Sequence, residues 1–123
     1  MARSFTYIDD AIESLERIIS KIPSKENYDK LTDLKPNKSW APYKLLNIGS
    51  SKSEPLLNYI SALEEAVQKK AKRMYLPMQK GDVEITHSDS KILEDWIGYH
   101  PSTSIQLGIK NFVEWYKSYY QLT

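Results

Sequence analysis

The spacing of apolar residues along the chain predicts four helices. From Ile8 to Ile22 the apolar positions recur at steps of four and three residues, which is the repeat of one helix face. This repeat predicts a helix over residues 9–22, with Asp9 or Asp10 as its cap. The same reasoning predicts three further helices, over residues 54–68, 89–97 and 103–121. In the last of them we expect the aromatic residues to share the core with the aliphatic ones.

One short β-prone run precedes the first helix, at residues 5–8, and two lie between helices, at residues 43–48 and 72–76. The stretch from Pro23 to Pro42 has no sustained period and is expected to be a long loop. Strands that alternate with helices predict parallel pairing through crossovers, and therefore an α/β fold. In open α/β sheets ligands bind beyond the carboxyl ends of the strands. The loops that follow two of these strands, 49–53 and 77–82, are therefore the expected ligand-binding loops.

The composition of the 123 residues excludes several classes of function. The 17 Lys and Arg residues against 16 Asp and Glu residues leave a net charge of +1, which favours neither nucleic acid nor an anionic membrane as a partner. Without cysteine, and with only two histidines, the chain offers no disulfide, no thiol nucleophile and no usual set of metal ligands. No apolar run resembles a signal peptide or a membrane span, so we expect a cytoplasmic protein.

The glycines are too far apart to form a phosphate-binding loop. There are only four of them, and Gly98 and Gly108 are the two that lie nearest each other in the sequence. Neither a G-x-G-x-x-G fingerprint nor a P-loop can be written in this chain. We therefore expect no dinucleotide or nucleoside triphosphate site built by these residues alone.

Four sequence motifs nevertheless resemble those of one enzyme family. Residues 3–10 (RSFTYIDD) are similar to the R-D-F-T-Y-I-D-D signature of extended short-chain dehydrogenase/reductase sugar-nucleotide epimerases. Residues 41–49 (APYKLLNIG), 76–83 (LPMQKGDV) and 108–116 (GIKNFVEWY) resemble A-P-Y-R-V-Y-N-I-G, L-P-M-Q-P-G-D-V and G-x-x-x-F-V-x-W-Y in the same order. The P-M-Q-x-G-D-V form points to relatives of UDP-glucuronate 4-epimerase.

The resemblance implies that residues 1–123 are a single substrate-binding domain, the carboxyl-terminal portion of an NAD-dependent epimerase/dehydratase. The Rossmann portion that would bind NAD is absent, and so is the family's catalytic Y-x-x-x-K pair, because no tyrosine here has a lysine four positions later. Met1 aligns with a methionine that lies within the family's sequence, which suggests an internal start, a split gene or a cut domain. We expect the isomerase activity, the NAD and the role in polysaccharide biosynthesis to belong to the full-length parent, and this chain to be inactive alone and to hold no cofactor.

The same resemblance implies four substrate-binding residues. Arg3 and Gln79 would face the pyrophosphate of a UDP-sugar, Asp82 would accept hydrogen bonds from the ribose hydroxyls, and Leu56 would pack near the uracil. Each residue also has a simpler interpretation: Arg3 as a solvated terminal residue, Asp82 as the cap of a turn, and Leu56 as ordinary helix core. Ser4 replaces the aspartate of the motif, which we expect to weaken the anchoring of Arg3.

Other polar and aromatic groups have structural interpretations that we favour. Asp9 and Asp10 are expected to be helix caps rather than a catalytic pair of carboxylates. The basic run at residues 69–73 is expected to be a solvated helix end rather than a nucleic-acid site. Aromatic residues that could form a sugar-stacking platform are expected to be core residues instead, namely Trp96, Trp115, Tyr116, Tyr119 and Tyr120.

Two functions therefore compete. The first is the UDP-sugar-binding portion of a nucleotide-sugar 4-epimerase, which binds UDP weakly and needs the missing Rossmann portion, or a second copy of itself, as a partner. The second is a non-catalytic interaction module or gene remnant that retains the fold but not the ligand site. Ser4 favours the second function, whereas the retained Gln79, Gly81 and Asp82 favour the first.

Overall fold

The computed structural model describes residues 1–24 and 42–122, which contain a small sheet and four helices. Most of the expected long loop between Pro23 and Pro42 lies outside the described residues. The mixed α/β class is as predicted. The strands are β1 (Ala2–Ser4) and β2 (Ser53–Pro55), and the helices are α1 (Ile8–Ile19), α2 (Leu56–Val67), α3 (Lys91–Ile97) and α4 (Ile105–Tyr119).

Strand β1 has a hydrogen-bonded neighbour on each edge. Its pairing with β2 is antiparallel and sets Arg3 opposite Glu54. On the other edge the amide of Ala2 donates to the carbonyl of Glu84 at 2.9 Å, and the amide of Thr86 donates to the carbonyl of Ala2 at 3.2 Å. These two bonds form a parallel bridge between Ala2 and Ile85. Residues 84–86 therefore run beside β1 as a third, very short chain segment.

The predicted strand positions are wrong, although the class is right. The first strand lies at β1 instead of residues 5–8, because the helix already begins at Ile8. In the predicted strand 43–48 only Lys44 forms a bridge, and residues 72–76 belong to no ladder in the described part of the chain. A β-prone run becomes a strand only when a neighbouring chain supplies ladder hydrogen bonds. Among the strand pairs of residues 1–24 and 42–122, the parallel pairing that we expected is found at the bridge between Ala2 and Ile85.

The hydrophobic core lies between α2 and α4, and Ala62 is its buried member on α2. The buried hydrophobic positions of α4 follow one another at intervals of four residues. Partly buried residues pack around them: Phe5, just after β1, and Tyr59, Leu63 and Ala66 of α2. The ring of Phe5 stacks on that of Tyr59 with 4.5 Å between centroids. The buried core residues of α4 are Ile105, Ile109 and Val113.

The helix ends agree with the sequence in part. Helix α3 stops at Gly98, whose φ of +67° is the left-handed conformation that glycine commonly adopts just past a helix end. Helix α4 is capped by Ser104, whose hydroxyl accepts from the amide of Leu107 at 3.3 Å. Ser53, which directly precedes the predicted start of the second helix, lies in β2, and α2 follows directly after Pro55.

Helix α1 is amphipathic with its apolar face outward. Each of its aligned apolar residues is between 47% and 74% exposed, together with Ile22 just beyond the helix. The residues that it buries are polar, Asp10 and Ser14. The described residues therefore leave the apolar face of α1 exposed. We call this surface the α1 apolar face; it comprises Ile8, Ile12, Leu15, Ile19 and Ile22.

Asp10 connects α1 to the start of α4 and is not a cap of its own helix. Its carboxylate accepts from the hydroxyl of Tyr99 at 2.9 Å, and from the amide and hydroxyl of Thr103 at 2.9 and 2.8 Å. Burial raises the pKa of Asp10, but these hydrogen bonds outweigh it and the net pKa is lowered. Burial and the same contact raise the pKa of Tyr99 to about 12. Asp9 is exposed, so the two aspartates do not form a catalytic pair.

The last turns of α4 carry aromatic rings on the surface, where we expected core residues. The five rings are between 41% and 66% exposed, and neighbouring rings contact each other with 4.6 to 6.0 Å between centroids. The buried positions of α4 end at Val113, so the helix extends beyond the core that α2 provides. These exposed aromatic residues are Phe112, Trp115, Tyr116, Tyr119 and Tyr120.

Glu64 connects the end of α2 to the chain that follows it. Its side chain is 4% exposed, and its carboxylate accepts from the amide of Ala71 at 3.0 Å and from the side chains of Lys70 and Arg73. These hydrogen bonds, from Ala71 first and then from the two cations, lower the pKa of Glu64 to about 2. Part of the basic run is therefore paired with a buried acid and is not simply a solvated surface.

We expect the folded state to lose stability in acid through Glu64. Its folded-state pKa of about 2 lies below the ordinary value of 4.5, so the unfolded chain takes up a proton at higher pH than the folded chain. The stabilisation is therefore complete above pH 4.5 and is lost as the pH falls toward 2. Denaturant unfolding at a series of pH values measures this slope.

Glu64→Gln is the test variant, and Glu65→Gln is its matched control. Glu65 is the exposed neighbour, so its substitution should keep the slope, whereas Glu64→Gln should reduce it. Some slope remains from Asp10, whose pKa is also lowered. An equal slope in all three proteins would contradict the assignment.

Candidate functional site

Arg3 lies in the middle of β1 and its guanidinium is held by three acceptors. The Nη1 atom donates to the carbonyl of Ala2 at 2.9 Å and to that of Glu84 at 3.3 Å. The Nη2 atom donates to Oδ1 of Asp82 at 2.7 Å. Arg3 is therefore an ordered residue and not the frayed terminal side chain of the simpler interpretation.

The ion pair between Arg3 and Asp82 brings together two of the predicted site residues. They are 79 positions apart in the sequence, and their side chains are 23% and 38% exposed. The contact depends on the bridge between β1 and residues 84–86, which brings the chain after Asp82 alongside Arg3. Solvent reaches both groups, so the pair is positioned by the fold and also open to a ligand.

Residues 79–82 form a tight turn that presents Asp82. The amide of Asp82 donates to the carbonyl of Gln79 at 3.2 Å, and Gly81 has a φ of +89°, a conformation that favours glycine. The same Oδ1 that pairs with Arg3 also accepts from the amide of Val83 at 2.9 Å. Asp82 is therefore both the turn cap of the simpler interpretation and the partner of Arg3.

Leu56 lies at the end of the same small sheet. It is the first residue of α2, and its amide donates to the carbonyl of Met1 at 3.1 Å, which continues the pairing of β1 with β2. Its side chain is half-buried. The structure thus sets all four predicted site residues around β1: Arg3 and Asp82 in direct contact, Gln79 in the turn with Asp82, and Leu56 on the opposite edge of the ladder.

Ser4, which stands where the motif has an aspartate, forms hydrogen bonds with two neighbouring segments. Its hydroxyl donates to the carbonyl of Ser50, and its amide donates to the hydroxyl of Thr86 at 3.3 Å. It therefore connects β1 to the loop before β2 and to the segment on its other edge. Three acceptors hold Arg3 in this arrangement, without the aspartate.

The other expected ligand-binding loop, residues 49–53, is held by hydroxyl groups. The hydroxyl of Ser90 donates to the carbonyl of Gly49 at 2.5 Å, and the amide of Ser50 donates to the hydroxyl of Thr6 at 3.1 Å. A Cβ added at Gly49 would lie 2.4 Å from the hydroxyl oxygen of Ser88. These serine contacts connect sequence-distant loops, and the spacing of residues gives no signal for them.

The described glycines lie apart from one another. Gly49 is crowded by Ser88, and the two glycines with positive φ, Gly81 and Gly98, lie in separate turns. No group of three or more histidine, aspartate or glutamate residues in residues 1–24 and 42–122 could hold a metal ion. Among the same residues, no helix has the length and apolar character needed to cross a bilayer.

Comparison with curated proteins identifies relatives over nearly the whole chain. The chain is 43% identical over 122 residues to an uncharacterized 37.6 kDa protein of Escherichia coli O111:H-, and 37% identical over 121 residues to the protein CapI of Staphylococcus aureus. It is 39% identical over 124 residues to a probable UDP-glucuronate 4-epimerase of Rhizobium meliloti. These alignments cover 98% to 99% of this chain but only 36% of each relative. No protein-family model matches the chain.

Solved structures share the fold. UDP-glucose 4-epimerase from Bifidobacterium longum, in complex with NAD+ and UDP, superposes with a TM-score of 0.69 at 15% identity, over 98% of this chain and 31% of that one. UDP-glucuronic acid 4-epimerase from Bacillus cereus, in complex with NAD, gives a TM-score of 0.69 at 23% identity, over 99% of this chain and 32% of that one. At these identities the likeness concerns the fold alone.

The sequence and fold comparisons agree, and they confirm the resemblance that the four motifs indicated. The chain spans about a third of the length of the relatives that it matches. By sequence it is similar to a part of UDP-glucuronate 4-epimerases and related proteins, and it shares the fold of the corresponding part of solved UDP-sugar epimerases.

Proposed function

We propose that this chain is the UDP-sugar-binding part of a nucleotide-sugar 4-epimerase similar to UDP-glucuronate 4-epimerase. The observation that carries the proposal is the 2.7 Å contact between Arg3 and Asp82, two motif residues that the fold brings together from opposite parts of the chain. They lie on the surface with Gln79 in the adjoining turn. A cytoplasmic location and a role in polysaccharide biosynthesis belong to the same proposal.

Arg3 is the group that would bind the diphosphate. A guanidinium has five N–H donors, and Arg3 uses two on Nη1 and one on Nη2. The Nε hydrogen and the second Nη2 hydrogen form no hydrogen bond with any described residue. Two donors on a partly exposed cation suit a diphosphate, whose oxygens accept charge-assisted hydrogen bonds.

Gln79 would face the diphosphate beside Arg3, whereas Asp82 and Leu56 would bind the nucleoside. Only Oδ1 of Asp82 has partners among the described residues, so Oδ2 can accept from two ribose hydroxyls. The exposed amide of Gln79 lies within the same turn as Asp82. Leu56 offers a half-buried apolar surface to the flat uracil ring.

We further propose that the chain has no epimerase activity alone. It lacks a Y-x-x-x-K pair and a glycine-rich loop, so it has neither a catalytic tyrosine of the family type nor a place for NAD. Oxidation and re-reduction of the sugar would depend on residues outside this chain. Its own contribution would be to bind and orient UDP.

We propose that the chain contacts the Rossmann portion of such an enzyme, or a second copy of itself, through the α1 apolar face. A soluble domain seldom leaves a continuous apolar stripe exposed. The relatives have about two thirds of their length beyond the matched segment, which is ample to cover it. The same exposed face favours the second candidate function, a non-catalytic interaction module.

UDP should bind to the isolated chain with a Kd of about 1 mM, because only part of the contacts is present. Amide signals of Arg3, Leu56 and residues 79–82 should shift in an NMR titration with UDP. Arg3→Gln should weaken binding about tenfold, the usual effect of losing a charged hydrogen-bond partner. Arg17→Gln, an exposed arginine of α1 paired with Glu13, is the matched control and should leave binding unchanged. No shifts at high UDP, or shifts elsewhere only, would favour the interaction module.

NAD should not bind to the chain, and no UDP-sugar should be epimerised by it. Calorimetry with NAD and a coupled epimerase assay on the purified chain test this expectation. Heat of binding at micromolar NAD, or turnover above background, would show that the residues present are sufficient and would refute the proposal of an incomplete enzyme.

Self-association should occur through the α1 apolar face. Light scattering should show a dimer for the wild-type chain and a monomer for Leu15→Asp, because a buried carboxylate without a partner disfavours the interface. Leu107→Asp is the control, since Leu107 is 51% exposed on α4 against 47% for Leu15 on α1. A monomeric wild type, or a dimer that both substitutions leave intact, would contradict the assignment.

A further inference from the structure

Glu64 accepts more hydrogen bonds than a surface helix residue needs. From α2 it accepts the amide of Ala71 at 3.0 Å, Nζ of Lys70 at 3.1 Å, and Nε and Nη2 of Arg73 at 3.2 and 2.9 Å. Its side chain is 4% exposed, whereas that of Arg73 is 31% exposed. A buried carboxylate with these partners is a strong attachment point for the chain that leaves α2.

The chain between Glu64's partners and the candidate site has little other support. Residues 71–82 are all exposed, and none of them belongs to a helix or strand. At the far end Asp82 is held by Arg3. At the near end Arg73 is held by Glu64. The exposed segment is thus held at each end by an ion pair, and the turn that runs from Gln79 to Asp82 lies at its far end.

We propose that Glu64 is a positioning residue, which attaches residues 70–73 to α2 and thereby keeps the 79–82 turn in contact with Arg3. Its effect on a ligand rests on the proposed function, whereas its effect on the turn does not. Glu64 touches no part of the candidate site directly. It acts instead by setting how many residues between α2 and Asp82 are unattached.

The size of this influence follows from loop closure. With Glu64 in place the unattached chain between the anchors is 74–81, and without it the unattached chain is 69–81. Closure entropy grows with the logarithm of loop length, so this change weakens the contact at Asp82 about twofold. The local effect is larger, because the amide of Ala71 loses its charged acceptor and should exchange with solvent about tenfold faster.

Amide hydrogen exchange of the full chain tests the proposal without any ligand. We expect Glu64→Gln to raise exchange at Ala71 about tenfold and to move the NMR signals of Gly81, Asp82 and Arg3 Nε. Because Glu64→Gln also lowers global stability, exchange at the core residues Ala62 and Val113 should rise by no more than the factor that denaturant unfolding of the same variant gives, which separates positioning from general destabilisation. Glu65→Gln, at the exposed neighbouring position, should change none of these signals.

Arg73→Gln provides a second variant if Glu64→Gln does not fold, since it removes two of the four hydrogen bonds from outside the helix. It should raise exchange at residues 71–73 and move the same three signals. Unchanged signals of Gly81 and Asp82 in a folded variant would overturn the proposal, even if exchange at Ala71 rises.

UDP titration adds a separate result: Glu64→Gln should weaken UDP binding about twofold. A wild-type chain that does not bind UDP would refute the proposed function. The positioning role of Glu64 would then be decided by the exchange data alone.

Discussion

Hydrogen bonding on both edges of β1 is the constraint on which the candidate site depends. One edge pairs with β2, which precedes α2 directly, and the other is bridged to Ile85. Because this strand is only three residues long, every residue in it is fixed by a neighbour. Arg3 is the middle residue, so the backbone position of its side chain is fixed. The bridge at Ile85 places Asp82 in contact with it. The core of α2 and α4 supports this arrangement from one side without contributing to its chemistry.

Helices and turns could be predicted from the sequence, because their determinants are local. The apolar repeats locate all four helices to within a few residues, and Gly98 ends α3 as its left-handed conformation requires. The motif that includes Gly81 and Asp82 likewise describes a real turn. The four candidate site residues followed from a resemblance and not from spacing, and the structure sets them around one strand.

The failures concern properties that depend on a neighbour. Residues 43–48 have the composition of a buried strand, yet a strand exists only where another chain segment supplies a ladder. The repeat in α1 reveals an apolar face but not that the opposite face, with Asp10, would be the buried one. Glu64 gave no signal at all, because a glutamate in a helix is ordinarily solvated and its partners become visible only in three dimensions.

If Arg3 and Asp82 act on UDP as one unit, their contributions to UDP affinity should be coupled in a double-mutant cycle. The four proteins are the wild type, Arg3→Gln, Asp82→Asn and the double variant, each titrated by NMR. We expect each single change to weaken binding and the double variant to lose less affinity than the sum of the two single losses, with a coupling of about 0.5 kcal/mol or more. Strictly additive losses, or tighter binding by Asp82→Asn, would contradict it.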